Sequence, residues 1–292
     1  CTRHNIRYEL KDIPESLLVE YQDDDRTCLH VAVEDEDFEM ISILFEKLSD
    51  EDKLILLTLT ATDKSRSVTW LCMRNGGFTW AMELAKSATH EALKTEIYEE
   101  VLIHTCQSDD AQALQLLLSA VTSDTLMSVM STLTLGVEYH SCIQRAALRG
   151  INTFISMLSQ HLPSDSVLPH LLEQCERDGG RTALHIACNW KNLNVVKTII
   201  DLVPIENRFK LIIAKDVNGN TVLNAAVASG HKSYVLALKI YELTGEQQYA
   251  IRVKENKDRL RAIDLAKERK DKELEGVLDN LLQQSSISKC NE

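Results

Sequence analysis

A six-residue phrase returns along this chain about every forty residues, and no other feature restricts its fold as much. The fullest copy is Thr182-Ala183-Leu184-His185-Ile186-Ala187. A second reads Thr27-Cys28-Leu29-His30-Val31-Ala32, and a third, Thr221-Val222-Leu223-Asn224-Ala225-Ala226, is followed by Gly230-His231. Aligned on the Thr position, copies begin at Thr27, Ser67, Val101, Ser141, Thr182, Thr221 and Arg261, with steps of 40, 34, 40, 41, 39 and 40 residues. A fixed period of this length marks a stack of repeated supersecondary units, each of which buries its apolar face only against its neighbours.

The residues themselves write a helix-turn-helix unit. Leu29, Ile143, Leu184, Leu223 and Ile263 hold one position, and Ala32, Ala146, Ala187, Ala226 and Ala266 follow three residues later. A large and a small residue at i and i+3 share one helix face, and the small one lets a neighbouring helix approach. Gly76, Gly150 and Gly230 stand four residues beyond, where a left-handed residue can end the helix. Aliphatic stripes then announce a second helix: Met40-Ile41-Ile43-Leu44, Leu114-Leu117-Leu118, Val195-Val196-Ile199-Ile200 and Tyr234-Val235-Leu238.

The phrase resembles the ankyrin signature, in which Thr-Pro-Leu-His-x-Ala opens the first helix and Gly-His starts the turn into the second. The resemblance implies an all-α, ankyrin-type α-solenoid of about seven helix-turn-helix units. It covers almost the whole chain, with its strongest stretches at 178–200 and 216–238. The repeats are longer than the family's ~33 residues. The Gly-Ala-Asp-x-Asn hairpin expected between units is not legible, and most junctions instead carry a segment that reads as an extra short helix. These segments start at Pro14, Ser49, Ser123, Ser164, Pro204 and Thr244, several with an acid within three residues, as helix starts are written. The expected organisation is a partial N-terminal repeat or cap at 1–24, a repeat array at 25–282, and a flexible tail at 283–292. The charged last unit, Leu260 to Arg269, suits a terminal cap facing water. The chain begins at Cys1, and residues 11–24 read as the back half of an earlier unit, which suggests a segment of a longer protein. A native product whose mass begins at residue 1 would overturn that.

Composition narrows the function class. No run of eighteen apolar residues exists, so the sequence offers no membrane insertion. The net charge of −12 disfavours nucleic acid and anionic lipid as partners of the bulk surface. Charge is uneven: residues 20–39 hold nine acids and one base, whereas residues 252–273 hold nine bases and six acids. Cys28, Cys72, Cys106, Cys142 and Cys188 fall in first helices, where they read as small buried hydrophobes and free thiols. Free thiols point to a reducing compartment, hence a cytoplasmic location.

No catalytic or cofactor motif is present: no Walker loop, no Gly-x-Ser-x-Gly, no His-Glu-x-x-His and no Cys-x-x-Cys. His30, His104 and His185 align at one repeat position. Recurrence at a framework site argues for a structural role, and in the family this His bonds the neighbouring turn. The candidate contact residues are those that the fold does not need. In ankyrin stacks these precede the Thr position or follow the Ala pair, which implies Arg181 and Asn220 in the first set and Arg74, Arg149, Asn189 and Trp190 in the second. Trp and Arg are enriched at binding hot spots, so Trp190 flanked by Arg149 and Arg181 is the expected contact cluster. The competing reading has Trp190 covering the added helix. Trp70, at the usual His site, is expected in the core, and Trp80 lies with it in the unit that departs most from the pattern.

These expectations amount to a non-catalytic module that binds another protein or peptide, within a larger intracellular signalling or immune protein. The alternatives are a microbial effector aimed at host proteins, and a regulatory or mechanical stack adjoining a channel or kinase.

Overall fold

The computed structural model describes residues 32–46, 48–58, 68–133, 140–175 and 178–287. The first expected junction helix, from Pro14, the expected N-terminal cap at 1–24, and Thr27 and His30 lie outside the described residues. The chain divides into two compact units, Cys1–Thr105 with Asp110–Thr125, and Cys106–Asp109 with Leu126–Glu292.

The fold is all-α, with no strand among the described residues beyond two isolated bridges. The first unit contains α1 (Phe38–Phe45), α2 (Asp50–Thr58), α3 (Val68–Arg74), α4 (Phe78–Ser87), most of α5 (Glu91–Ser108) and α6 (Ala111–Ala120). After α7 (Ser123–Leu133) the second unit runs through α8 (Cys142–Arg149), α9 (Asn152–His161), α10 (Ser164–Leu172), α11 (Ala183–Asn189), α12 (Leu193–Leu202) and α13 (Ile205–Ile213). It ends with α14 (Val222–Ala228), α15 (Lys232–Ala237), a 3-10 turn at Ile240–Glu242, α16 (Gly245–Val253), α17 (Ala262–Glu268) and α18 (Lys272–Ile287). Helices α2, α7, α10, α13 and α16 are the added junction helices that the Ser, Thr and Pro starts announced. The final helix continues to Ile287, into the segment that the sequence suggested as a tail.

One backbone event sets the period. A left-handed residue recurs at Glu36, Gly76, Asp109, Gly150, Lys191, Gly230 and Lys270, with φ between 55° and 83°. Each follows a first helix. In five cases the next N–H bonds back to the carbonyl of the small framework residue: Asp37 to Ala32, Gly77 to Cys72, Ile151 to Ala146, Asn192 to Ala187 and Asp271 to Ala266. This is the turn that closes a helix on a left-handed residue. Glycine occupies it without strain; Glu36, Asp109, Lys191 and Lys270 each accept about 1–2 kcal/mol.

The same marker corrects one alignment. Because the third turn is at Asp109, Leu102 and Thr105 are the counterparts of Leu184 and Ala187, one residue earlier than an alignment on Val101 gives. No capping residue stands at 100–101, so the junction helix and the first helix fuse into the single 18-residue α5. His104 therefore does not share the site of His185. It packs against the ring of Phe78 instead, centroids 4.9 Å apart.

The core follows the framework. Ile143, Leu184 and Leu223 are buried, as are Ala146, Ala187, Ala226 and Ala266. Each first helix of the second unit packs on the next, α8 on α11, α11 on α14 and α14 on α17, while α9, α12 and α15 form a parallel row of second helices.

Candidate binding surface

The row α8–α11–α14–α17 presents two edges, one at the helix N-termini and one at the C-termini. The N-terminal edge is built by polar residues at fixed spacing. Ser141, Thr182 and Thr221 cap their helices, and Arg261 holds the same place at α17. Three residues on, a side chain answers the cap and reaches toward the next repeat. Gln144 Oε1 accepts from the Ser141 N–H at 3.0 Å, and its Nε2 donates to the Glu173 carbonyl at 2.8 Å. His185 pairs its Nδ1 with the Thr182 hydroxyl at 2.8 Å, and its Nε2 lies 3.1 Å from the Asn220 carbonyl, to which it donates. Burial holds His185 below its ordinary pKa, so the neutral ring that this arrangement requires is the favoured one. Asn224 accepts from Thr221 Oγ1 at 2.6 Å, but it is too short to bridge onward, and its buried Nδ2 finds no partner. The structural role expected of His185 is what these bonds describe.

Hairpin loops do follow the added helices, contrary to the sequence reading that they are replaced. They span Cys175–Arg181, Lys215–Thr221 and Asn256–Leu260. They escaped notice because the added helix separates each from the preceding repeat, and because their turns are made by other residues. Asp216 Oδ1 accepts from the N–H groups of Asn218 and Asn220 at 2.9 and 2.8 Å, and Asn256 Oδ1 accepts from those of Asp258 and Leu260 at 2.9 Å. Such side-chain-to-backbone turns are characteristic of Asp and Asn. Successive loops bond to one another: the Val217 N–H donates to the Gly179 carbonyl at 2.9 Å, and the Lys257 N–H to the Asn218 carbonyl at 2.8 Å. The contact is close enough that a Cβ on Gly219 would stand 3.2 Å from the Lys257 nitrogen.

The C-terminal edge is built by the turns. Here a side chain of one repeat reaches back to cap the first helix of the one before. Asn192 Nδ2 donates to the carbonyls of Ala147 and Leu148 at 2.7 and 3.0 Å, and Arg269 Nη1 donates to that of Ala228 at 3.0 Å. In the first unit Asn75 Nδ2 donates to the Val33 carbonyl at 2.8 Å. These caps satisfy carbonyls that a helix leaves without an internal partner. Nothing in the sequence pattern singled them out, because the donor and its acceptor lie about forty residues apart.

The expected contact residues divide between these edges. Arg149 and Trp190 occupy equivalent turn positions of the adjacent helices α8 and α11, and Asn189 precedes Trp190; all three are exposed. Trp190 is 60% exposed, so it does not serve as a cover for the added helix. Arg181 does not flank it. It sits at the far end of α11, where its Nη1 meets Asp178 Oδ1 at 3.0 Å, and Asp178 in turn faces His140 at 3.7 Å. Asn220 is committed to the hairpins, donating to Asp216 Oδ2 at 3.2 Å and accepting from Asn256 Nδ2 at 3.0 Å. Arg74 belongs to the first unit, where its guanidinium lies 5.6 Å from the Trp70 ring centroid. Trp70 is half-buried rather than a core residue, since the site sized for His leaves part of its ring outside.

Cys72, Cys106, Cys142, Cys175 and Cys188 are buried thiols without a disulfide, and burial pushes those of Cys72, Cys142 and Cys188 up to about 12. Thiols held so high are poor nucleophiles at neutral pH. Among the described residues no group of three or more His, Cys, Asp or Glu side chains gathers as a metal site, and no single helix is long and apolar enough to cross a membrane.

Residues 143–247 match the family model for ankyrin repeats in 3 copies. No curated protein matches the chain. Ankyrin repeats are generally protein–protein interaction modules and typically carry no catalysis.

Proposed function

From the premise that this chain carries an ankyrin repeat domain, we propose that it binds another protein or peptide through the turns at the C-terminal ends of α8 and α11, with Trp190 as the anchor. The exposure of Trp190 supports this reading most. A large rigid side chain with 60% of its surface in water, on a row of helices locked to one another at both ends, is available to bury apolar area without prior rearrangement. Arg149 and Asn189 stand on the same edge and supply charge and hydrogen bonds for its rim. The surface acts as a scaffold, and no chemistry is assigned to it. The buried thiols without a disulfide fit a module of a larger intracellular protein in a reducing compartment.

A photo-crosslinking residue placed at Asn189 tests this against one placed at Leu236 on the second-helix row. The expected result is a discrete crosslinked partner from position 189, lost on Trp190→Ala while helicity and melting temperature hold. Equal capture from both positions, or undiminished capture by the Trp190→Ala protein, overturns the assignment.

A further inference from the structure

The first unit carries a second recognition feature, unrelated to the Trp190 edge. A cavity of about 350 Å³ opens between α1, α2 and α4, lined by Ser42, Phe45, Glu46, Lys53, Trp80 and Glu83 among others. We propose that this cavity receives the cationic side chain of a lysine or arginine from a partner polypeptide.

Two aromatic rings form a corner of the cavity. Phe45 and Trp80 meet at 5.3 Å between centroids and 88° between planes. The indole is held in place, because its Nε1–H donates to Ser42 Oγ at 3.1 Å and that hydroxyl donates to the Phe38 carbonyl at 2.9 Å. Phe45 and Leu84 are buried and supply an apolar floor. Two exposed carboxylates stand at the rim: Glu46, next to Phe45, and Glu83, one helical turn beyond Trp80 on α4. Neither has an ion-pair partner among the described residues. The one cation on the wall, Lys53, is already answered by Asp50 at 3.2 Å. Asp50 is itself fixed as a carboxylate, held well below its usual range by hydrogen bonds from the Thr89 hydroxyl and the Thr89 and His90 N–H groups.

A corner of π faces attracts a cation through the ring quadrupole, and the attraction grows as the cation loses water. Carboxylates at the rim add charge and accept hydrogen bonds from ammonium or guanidinium. The volume lies at the small end of ligand pockets, about 300–1,000 Å³, and suits one long side chain. The repeat framework shows that the arrangement is local. Four residues past the left-handed turn, where Trp80 stands, the other repeats place Met40, Ala113, Phe154, Val195, Tyr234 and Leu274, all buried except the half-buried Met40. Seven past it, at the site of Glu83, they place Ile43, Leu116, Met157, Thr198, Ala237 and Val277. Only here does a ring too large for its slot meet an acid on the same helix face.

The test is a titration followed by the indole N–H resonances of the isotopically labelled protein. The chain has three tryptophans, and Trp80→Phe identifies the signal of Trp80. Capped arginine and lysine (N-acetyl, N-methylamide) are the probes, capped citrulline the neutral isostere, and spermidine a free cation. The expected result is a saturable shift of the Trp80 signal with both cationic probes, little with citrulline, and affinity lowered about fivefold or more in Glu46→Gln/Glu83→Gln. An equal response to citrulline, unchanged affinity in the double variant, or no saturable shift overturns the proposal. Tighter binding of spermidine than of either capped residue overturns the assignment to a polypeptide side chain.

Discussion

Residues 140–270 and residues 68–108 hold their repeats by different chemistry. In the first region Ser141, Thr182 and Thr221 cap short helices, Gln144 and His185 carry hydrogen bonds across to the next repeat, and hairpins stack at the same edge. In the second, the His site holds Trp70, no cap stands at 100–101, and α5 runs through its junction without a break. Cross-repeat polar bonds persist there in the Asn75 cap on Val33 and in Asp50 with Thr89 and His90, but aromatic contacts stand where the bridged caps are missing: Phe78 with His104, and Phe45 and Phe38 with Trp80. Polar bridging fixes the register of a repeat because a bond is made or lost with a one-residue slip. Aromatic packing tolerates the slip, and it leaves partly covered rings on the surface.

The sharpest way to break this contrast is to remove packing from the bridged region. Phe154→Ala or Leu184→Ala, both fully buried, should cost about 3–5 and 2–5 kcal/mol in urea unfolding. A loss below about 1 kcal/mol at Leu184 would remove it from the framework. Next, His185→Ala should cost about 1–3 kcal/mol, because the Thr182 hydroxyl and the Asn220 carbonyl lose their partner in a buried setting. His185→Gln should recover most of that loss, since Gln144 already makes the equivalent bridge. An equal loss for Ala and Gln would reduce His185 to filler.

Acidity separates the regions less, because each contains one histidine that burial holds below its ordinary value: His104 in the first unit and His185 in the second. For each, the unfolded chain binds its proton first. Stability is therefore complete above the ordinary value of 6.5 and falls as pH drops through 6.5 toward the depressed folded value. Asp216 opposes the shift at His185 and Arg181 adds to it. His185→Gln should flatten the acid limb of the stability profile without abolishing it, the remainder belonging to His104 and, at lower pH, to the carboxylates of Asp50 and Asp264, which hydrogen bonds hold below their usual range. A slope identical to that of the unaltered protein would contradict the burial of His185 as a neutral ring.

Two smaller effects sharpen the comparison further. Asn224→His should add about 0.5–1.5 kcal/mol by giving the third bridged repeat the reach that Asn lacks. Destabilisation would mean that the slot beyond Asn224 does not accept a ring. Trp190→Ala should change stability by no more than about 0.5 kcal/mol. A larger loss would make Trp190 a packing residue and undermine its proposed role as a contact.

Features carried by local spacing could be read in the sequence. The caps, the large–small pairs and the added helices from Ser164 and Thr244 all depend on residues within one turn of each other, and they appear where expected. Features carried across repeats could not. Asn192 caps Ala147 and Leu148 from 44 and 45 residues away, and the hairpins hide behind helices, with Asp216 and Asn256 in place of a familiar loop pattern. For the candidate site, the exposure of Trp190 was legible from its position in the repeat. The distances of Arg181 and Asn220 from it were not, because both had been consumed by Asp178, Asp216 and Asn256. The openness of Trp80 depends on how far its indole exceeds a slot shared with Phe154 and Tyr234, which only neighbouring helices define.

The recurring left-handed turn also dictates where this architecture can grow. From Ser141 to Gly150, Thr182 to Lys191, Thr221 to Gly230 and Arg261 to Lys270 the interval is always nine residues, whereas the stretch from each turn to the next cap varies. Among these four repeats the differences in length fall between the turn and the next cap. The row of first helices can therefore stay constant while the stretch beyond each turn lengthens, shortens or gains a new segment, so that one side can be remodelled without disturbing the other.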